Sequence, residues 1–172
     1  AESDRVLDAL VAARPDAAGA HLARAVLHER KDELDEAAAA YRRTLELAEG
    51  DDADARRQRA IAANNLAMIL IKRGERLDEA ATLAEQAVAA APQAAAFLDT
   101  LAHAHAARGE HDAAVDAMAR AIEADPRNLE WHVNLTKIYV DAERMDEARA
   151  AWSDVQRLRL GRTDLSEPVR EN

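Results

Sequence analysis

The stretch from Asn65 to Pro126 contains two related segments, NLAMILIKRGERLDEAATLAEQAVAAAP at 65–92 and TLAHAHAARGEHDAAVDAMARAIEADP at 100–126. In each, a Leu-Ala pair is followed by Gly-Glu, then by a second alanine-rich run, and finally by proline. The closing residues Pro92 and Pro126 lie 34 residues apart. Apolar residues at helical spacing on both sides of a glycine turn predict two helices in each segment, so the stretch predicts a helical hairpin and its repeat.

The same register extends in both directions from this stretch. Ala80, Ala114 and Ala148 follow one another at intervals of 34 residues, and Ala148 ends a fourth hairpin motif, MDEA. The LDEA motif that ends at Ala37 opens the second helix of an earlier hairpin. Ala37 and Ala80 are 43 residues apart, nine more than the period, and the excess falls at 49–59. We therefore expect a helix of about 22 residues there, whose two added turns, at ~1.5 Å per residue, project beyond its neighbours.

Composition favours helices and narrows the class of partner. Alanine fills 44 of 172 positions, and alanine is the best helix former. The formal net charge of −10 argues against nucleic acid or an anionic membrane as the main partner. The basic cluster at 56–59 follows a run of acids and is interpreted as a solvated helix face with internal ion pairs. There is no cysteine, and no apolar run reaches the ~18 residues that a membrane span needs.

These observations predict one all-α domain over 1–160 with about nine helices. The predicted elements are a leading helix at 3–14 and hairpins at about 16–48, 51–91, 93–125 and 127–160. The leading helix is either the second half of an incomplete repeat or a cap on the array. The tail at 161–172 contains Gly161 and Pro168 and few apolar residues, so it is predicted to be loosely ordered.

The 34-residue period and its matched alanines resemble the tetratricopeptide repeat (TPR) family over about 17–160. The resemblance implies an α-α superhelix, a right-handed solenoid of antiparallel hairpins that binds proteins rather than performing chemistry. In the family pattern an aromatic residue follows the small residue of the first helix by one turn. Here Leu70, His105 and Tyr139 occupy that place, so His105 is predicted to be a hydrogen-bonded core imidazole. Trp152, at the position of Met118, is predicted to plug the last layer between repeats.

The resemblance also implies which residues line a peptide-binding groove, because the first helix of each TPR hairpin faces the concave side. Carried over residue by residue, the predicted groove residues from the second, third and fourth hairpins are Asn64, Met68, Ile71, Lys72, Asp99, His103, Ala106, Val133, Asn134, Lys137 and Asp141. Their mixture of amide, carboxylate, imidazole and apolar groups suits an extended peptide or a helix. The alternative is that these residues are ordinary solvated positions and the partner binds elsewhere.

Other kinds of site are disfavoured. One TPR subfamily grips a chaperone's C-terminal carboxylate with Lys, Asn and Arg, but Ala96 and Thr100 stand where the third hairpin would need basic residues. His103 and His105 are two residues apart on a helix, so they point in different directions and cannot chelate one ion together. The sequence contains no glycine-rich phosphate loop, no serine elbow and no HExxH motif. No enzyme activity, cofactor or metal is predicted.

The sequence therefore predicts a non-enzymatic adaptor that binds a peptide or protein segment in the concave groove. Two alternatives remain open. One is a self-assembling scaffold that stacks through the apolar face of the leading helix, at Val6, Leu7, Leu10 and Val11. The other is a regulatory segment of a larger multidomain protein. A cytoplasmic location is favoured, although a mature exported form or an excised domain would have the same composition.

Overall fold

A computed structural model of the chain describes the backbone of residues 2–163 and the side chains of residues 5–161. Within 2–163 every regular element is an α-helix, which confirms the all-α prediction for that range. The nine helices of that range, in chain order, are α1 (Glu2–Ala13), α2 (Ala18–Arg30), α3 (Leu34–Leu47), α4 (Ala53–Arg73), α5 (Leu77–Ala90), α6 (Ala95–Ala107), α7 (His111–Ala124), α8 (Leu129–Asp141) and α9 (Met145–Thr163).

The chain divides into two compact units between Pro92 and Gln93. Unit 1 contains α1 to α5 and unit 2 contains α6 to α9. The prediction of a single domain over 1–160 remains a prediction, and the two units are described separately below.

Unit 1 is built from the hairpins α2/α3 and α4/α5, with α3 also in contact with α4 and α1 against α2. Its helices cross at alanines that are fully buried, among them Ala37, Ala67 and Ala80. A small side chain at a crossing lets two helix backbones approach closely, and a larger one would overpack the contact. The largest fully buried side chain of this unit is Tyr41 on α3.

Unit 2 is built from the hairpins α6/α7 and α8/α9, with α7 in contact with α8. Ala102, Ala114 and Ala121 are fully buried and repeat the small-residue crossings of unit 1. Leu98 and Met118 supply the large apolar side chains of this core. Ala80 in unit 1 and Ala114 in unit 2, which are 34 residues apart, are thus both fully buried.

The turn inside each hairpin contains a residue in the left-handed conformation, and the turn of the second hairpin contains a further one, Arg76, with φ of 50°. Gly74 and Gly109 hold this position in the second and third hairpins, with φ of 65° and 76°. Asp32 and Glu143 hold it in the first and fourth hairpins, with φ of 59° and 58°. Glycine adopts such angles without a Cβ penalty, whereas other residues pay for them. The turn geometry is thus kept in hairpins whose sequences lack the glycine.

Helix α4 has 21 residues, whereas α2, α6 and α8 have 13 each. This agrees with the long helix predicted from the insertion at 49–59. Asp52 caps its N-terminus, because one carboxylate oxygen accepts the backbone N–H groups of Asp54 and Ala55 at 2.9 Å each. Arg59, in the added turns, donates to the carbonyl oxygens of Ala48 (2.5 Å) and Gly50 (2.7 Å). The added turns therefore also satisfy the carbonyls that follow the end of α3.

Replacing Asp52 with asparagine is expected to reduce the acid sensitivity of the fold. Hydrogen bonds from the Ala55 and Asp54 backbone lower the pKa of Asp52 below its ordinary value of 3.8. A lowered pKa means that the stabilisation is present above the unfolded pKa and is lost as pH falls through the folded pKa. Asparagine caps a helix as well as aspartate does, but it does not titrate. We expect a smaller fall in Tm between about pH 7 and pH 2.5 for Asp52→Asn than for the wild type.

The control for this measurement is Asp51→Asn, because the Asp51 side chain is 96% exposed. That variant should lose as much Tm on acidification as the wild type. Equal losses in the wild type and both variants would show that the Asp52 cap does not contribute to the acid response.

Three expectations need correction. The leading helix spans Glu2–Ala13 rather than 3–14. Helix α9 continues to Thr163, so the first residues of the predicted loose tail are helical, and 164–172 lie outside the described residues. Trp152 does not plug a layer between repeats, since it is 42% exposed whereas Met118, at the equivalent position, is fully buried. Met118 lies on α7, which contacts both α6 and α8, whereas α9 has no following helix among the described residues to cover Trp152.

Candidate functional site

Four of the predicted groove residues form a polar cluster in unit 2. Asn134 on α8 donates from Nδ2 to Asp99 Oδ1 on α6 at 3.1 Å. Lys137 Nζ lies 3.4 Å from Asn134 Oδ1. His103 Nδ1 donates to the backbone carbonyl of Asp99 at 2.8 Å and lies 3.5 Å from Asp99 Oδ1. The first helices of two successive hairpins are therefore joined by one hydrogen-bonded set, the groove cluster (Asp99, His103, Asn134 and Lys137).

Asp99 is the electrostatic centre of the groove cluster. Its side chain is 20% exposed, and burial raises the pKa of Asp99 above its ordinary value of 3.8. The nearby His103 and the hydrogen bond from Asn134 oppose that rise. Among the described residues, no donor reaches Asp99 Oδ2 within hydrogen-bond distance. Asp99 is thus held in place through one oxygen and keeps acceptor capacity at the other.

A pocket of about 700 Å³ lies beside the groove cluster at the start of α8. It combines both charges with amide and apolar groups, and its lining residues are Asp125, Arg127, Asn128, Leu129, Glu130, Val133, Asn134 and Lys137. Val133 is half-buried there, Lys137 is exposed, and Asn134 is only 6% exposed. Three predicted groove residues therefore share one concave surface with the first turn of α8.

Asp141 lies outside this arrangement. It is the last residue of α8, it is exposed, and no described residue forms an ion pair with it. Ala106 is half-buried on α6. The structure therefore brings together Val133, Asn134 and Lys137 of α8, while Asp141 stands apart at its C-terminal end.

In unit 1 the predicted groove residues lie along α4 and differ in accessibility. Asn64 is only 9% exposed, and its Nδ2 donates to Asn65 Oδ1 at 3.0 Å. Its Oδ1 is buried without a hydrogen-bond partner among the described residues. Met68 and Ile71 are half-buried, and Lys72 is exposed with its Nζ 3.1 Å from Asp32 Oδ1. Asn64 therefore belongs to the interior of unit 1 more than to a solvent-facing groove.

A half-buried network that was not predicted from the sequence joins three helices of unit 1. Asn65 Nδ2 on α4 donates to the Tyr41 hydroxyl on α3 at 2.8 Å, and that hydroxyl donates to Glu29 Oε2 on α2 at 2.5 Å. Burial, and next the hydrogen bond to Glu29, raise the pKa of Tyr41 above its ordinary value. A lone tyrosine in an alanine run, LDEAAAAY, was the available signal, because a buried hydroxyl needs a polar partner.

His105 makes a hydrogen bond, as predicted, but it is half-buried rather than a core side chain. Its Nδ1 lies 2.7 Å from Glu110 Oε2, and its side chain is 16% exposed. His28 pairs with Glu33 in the same way and at the same distance in the first hairpin. In the fourth hairpin Tyr139 holds this place, and the Arg144 guanidinium carbon lies 5.0 Å from its ring centroid. This position therefore contacts the start of the second helix in all three hairpins.

Neither a metal centre nor a membrane span is found in the described part of the chain. No group of three or more His, Asp or Glu side chains there could hold a metal ion. None of the described helices combines the length and the apolar character that crossing a membrane requires.

Comparison with protein families finds two matches, both described as tetratricopeptide repeat. One covers residues 1–52 and the other covers residues 105–158. No curated protein matches the chain.

Solved structures of TPR proteins share the fold. A crystal structure of MamA is 17% identical, covers 93% of this chain and 88% of its own, and gives a TM-score of 0.79. MamA from Desulfovibrio magneticus RS-1 is 18% identical, with a TM-score of 0.78, and the match covers 91% of this chain and 84% of the MamA chain. YrrB, described as a TPR protein with an unusual peptide-binding site, is 20% identical, with a TM-score of 0.72. The match covers 92% of this chain and 77% of the YrrB chain. These likenesses confirm the predicted fold class, an array of TPR helical hairpins.

Proposed function

Because the chain belongs to the tetratricopeptide repeat family, we propose that it is a non-enzymatic protein-interaction module. Its ligand is an extended peptide or a helix of another protein, bound along the first helices of its hairpins. The observation that carries this proposal is the groove cluster, in which α6 and α8 present a carboxylate, an amide, an imidazole and an ammonium group together.

The groove cluster is suited to binding because its geometry exists before a ligand arrives. Asn134 is almost completely buried and is held by Asp99, so its rotamer is already fixed. Fixing a side chain in advance removes part of the ordering cost of association. The open oxygen of Asp99 can accept from a peptide N–H, and the exposed Lys137 ammonium can donate to a peptide carbonyl. Val133, in the adjacent pocket, offers an apolar contact for a ligand side chain.

In unit 1 the candidate contacts are Met68, Ile71 and Lys72. The first two are half-buried apolar side chains, and Lys72 is exposed at the end of α4. Asn64 is a poor target for a binding test, since replacing a buried amide would alter the packing of α4 as well. YrrB provides a fold-level analogy for a peptide site on such an array.

The double variant Lys137→Ala plus Asp141→Ala is expected to weaken binding of a selected peptide about tenfold or more. Both side chains are exposed, Lys137 in the groove cluster and Asp141 at the end of α8, so their removal should leave Tm within about 2 °C of the wild type. The peptide is first selected from a random display library on the wild-type protein, and fluorescence polarisation then gives its Kd for each variant.

The matched control is Asp116→Ala plus Arg159→Ala, which removes the same two charges from exposed positions on second helices, α7 and α9. It should bind as the wild type does. Failure of the library to enrich any sequence, or equal weakening by both double variants, would contradict the proposal.

Self-association is a second candidate function, favoured by α1. Val6 is 61% exposed and Leu10 is 41% exposed, although Leu7 and Val11 are half-buried. Two exposed large apolar side chains one turn apart can contact another chain. Light scattering over a range of protein concentrations separates the two candidates. Stacking through α1 requires an average molecular mass that grows with protein concentration. The double variant Val6→Ser plus Leu10→Ser should lower that mass.

A further inference from the structure

We propose that the added turns of α4 build a second binding pocket, distinct from the groove cluster, for an acidic peptide segment that carries a large apolar side chain. The pocket has a volume of about 390 Å³ and lies among α3, α4 and α5 of unit 1. Its lining residues are Leu45, Arg56, Arg59, Ala60, Ala63, Gln86 and Ala90.

The insertion supplies one wall of this pocket. Helix α4 exceeds the other first helices by eight residues, and Arg56, Arg59 and Ala60 belong to its added N-terminal turns. Leu45 lies in the last turn of α3, and Ala90 is the last residue of α5. The added turns therefore stand beside the ends of two second helices. A first helix of 13 residues would provide no such wall.

The pocket opens on a different side of α4 from the one that faces α2. A smaller pocket of about 210 Å³ between α2 and α4 is lined on α4 by Asp54, Arg57, Gln58 and Ile61. The two sets of α4 residues do not overlap, although Arg56 and Arg57 are adjacent in sequence. Side chains one residue apart on a helix point about 100° apart. Arg57 is therefore a neighbouring cation of the same type that does not line the proposed pocket.

The floor of the pocket is apolar, since Leu45, Ala60, Ala63 and Ala90 contribute hydrocarbon groups. Ala60 and Ala63 are buried, whereas Leu45 is only half-buried and Ala90 is exposed. An apolar side chain of a ligand that covers these surfaces gains by removing them from water. The amide of Gln86 at the rim can exchange hydrogen bonds with the backbone of the same ligand.

The charge of the rim decides what kind of ligand fits. Arg59 is fixed by the carbonyls of Ala48 and Gly50, so it offsets the negative end of α3. Arg56 is exposed and lies within ion-pair distance of no described carboxylate, although its charge contributes to lowering the pKa of Asp52. No carboxylate lines this pocket, whereas Asp54 lines the pocket facing α2 and acids line the pocket at the start of α8. The charged side chains that line the pocket itself are thus both arginines, on a chain with a net charge of −10.

The interpretation of 56–59 as a solvated face with internal ion pairs fits Arg59, whose Nη2 lies 3.7 Å from Asp51 Oδ1. Arg56 fits it less closely, because its exposed guanidinium acts on Asp52 without a close ion pair and also borders the apolar floor. A carboxylate next to an aromatic or aliphatic side chain complements both features at once, because the acid pairs with Arg56 while the apolar group covers the floor.

Backbone amide NMR titration of the full chain with short blocked peptides tests this assignment. The probe is acetyl-Asp-Trp-Asp-amide, and acetyl-Lys-Trp-Lys-amide and acetyl-Asn-Trp-Asn-amide are the charge controls. We expect the acidic peptide to shift the amides of Ala60, Ala63, Gln86 and Ala90. Arg56→Glu should weaken its Kd roughly tenfold, whereas Arg57→Glu should leave it within about twofold.

Equal effects of Arg56→Glu and Arg57→Glu would overturn the proposal, as would tighter binding of the basic peptide or shifts confined to other residues. The amide spectrum of each variant shows directly whether it remains folded. The result is independent of the groove cluster, because Asp99, His103, Asn134 and Lys137 belong to unit 2 and are unchanged in both variants.

Discussion

Replacing Tyr41 with alanine is expected to lower the free energy of unfolding of unit 1 by about 3–5 kcal/mol, the usual cost of removing a buried aromatic side chain. Tyr41 is fully buried, and it is the largest side chain of the unit in that state. Its removal leaves a cavity among α2, α3 and α4 and also deprives Glu29 and Asn65 of their shared partner. Urea unfolding followed by circular dichroism, with amide hydrogen exchange to locate the loss in residues of unit 1, measures the effect.

The matched comparison is Tyr41→Phe, which keeps the ring and removes only the hydroxyl. We expect a smaller loss, about 1–3 kcal/mol, because the Asn65 amide and the Glu29 carboxylate lose one hydrogen bond each in a half-buried site. If phenylalanine were neutral, the network would contribute nothing to stability. If alanine cost no more than phenylalanine, Tyr41 would not be a core side chain.

Replacing Met118 with alanine is expected to destabilise unit 2 by about 2–5 kcal/mol. Met118 is fully buried on α7, a helix that contacts both α6 and α8, so the lost side chain leaves a cavity at a crossing of helices. Thermal unfolding gives the change in Tm, and hydrogen exchange at amides of α6 to α8 assigns it to unit 2.

Trp152→Ala is the matched control, since Trp152 occupies on α9 the position that Met118 occupies on α7. Although tryptophan is much larger, Trp152 is 42% exposed, so its removal should cost less than half as much as the Met118 substitution. A larger loss for Trp152→Ala than for Met118→Ala would mean that the end of the array is as tightly packed as its interior.

The fold could be predicted because it depends on regularities that a single sequence displays. The 34-residue interval from Ala80 to Ala114 to Ala148 fixes where helices cross, and a crossing tolerates only small residues. The acids before Ala53 signalled the start of the long helix, since such residues cap helix N-termini. These signals are local or periodic, so they can be recognised in the sequence without knowledge of tertiary contacts.

The candidate site could be predicted only in part, because accessibility depends on how helices meet. Position in the repeat placed Asp99, His103, Asn134 and Lys137 on the first helices of the hairpins, and they do form one cluster in unit 2. The same reasoning placed Asn64 in a groove, although contacts within unit 1 bury it. Repeat position also led to the prediction that Trp152 is buried, because position alone does not tell which surface lacks a neighbouring helix. Tyr41 escaped notice because its partners, Glu29 and Asn65, are brought to it from two other helices.

The most direct test of peptide binding is an amide NMR titration of the isotope-labelled protein with a peptide selected from a random library. We expect the largest shifts at the groove cluster, with smaller changes at Met68, Ile71 and Lys72 and none along the exposed side of α9. Shifts confined to α7 and α9, with Asp99, His103, Asn134 and Lys137 unaffected, would contradict the account.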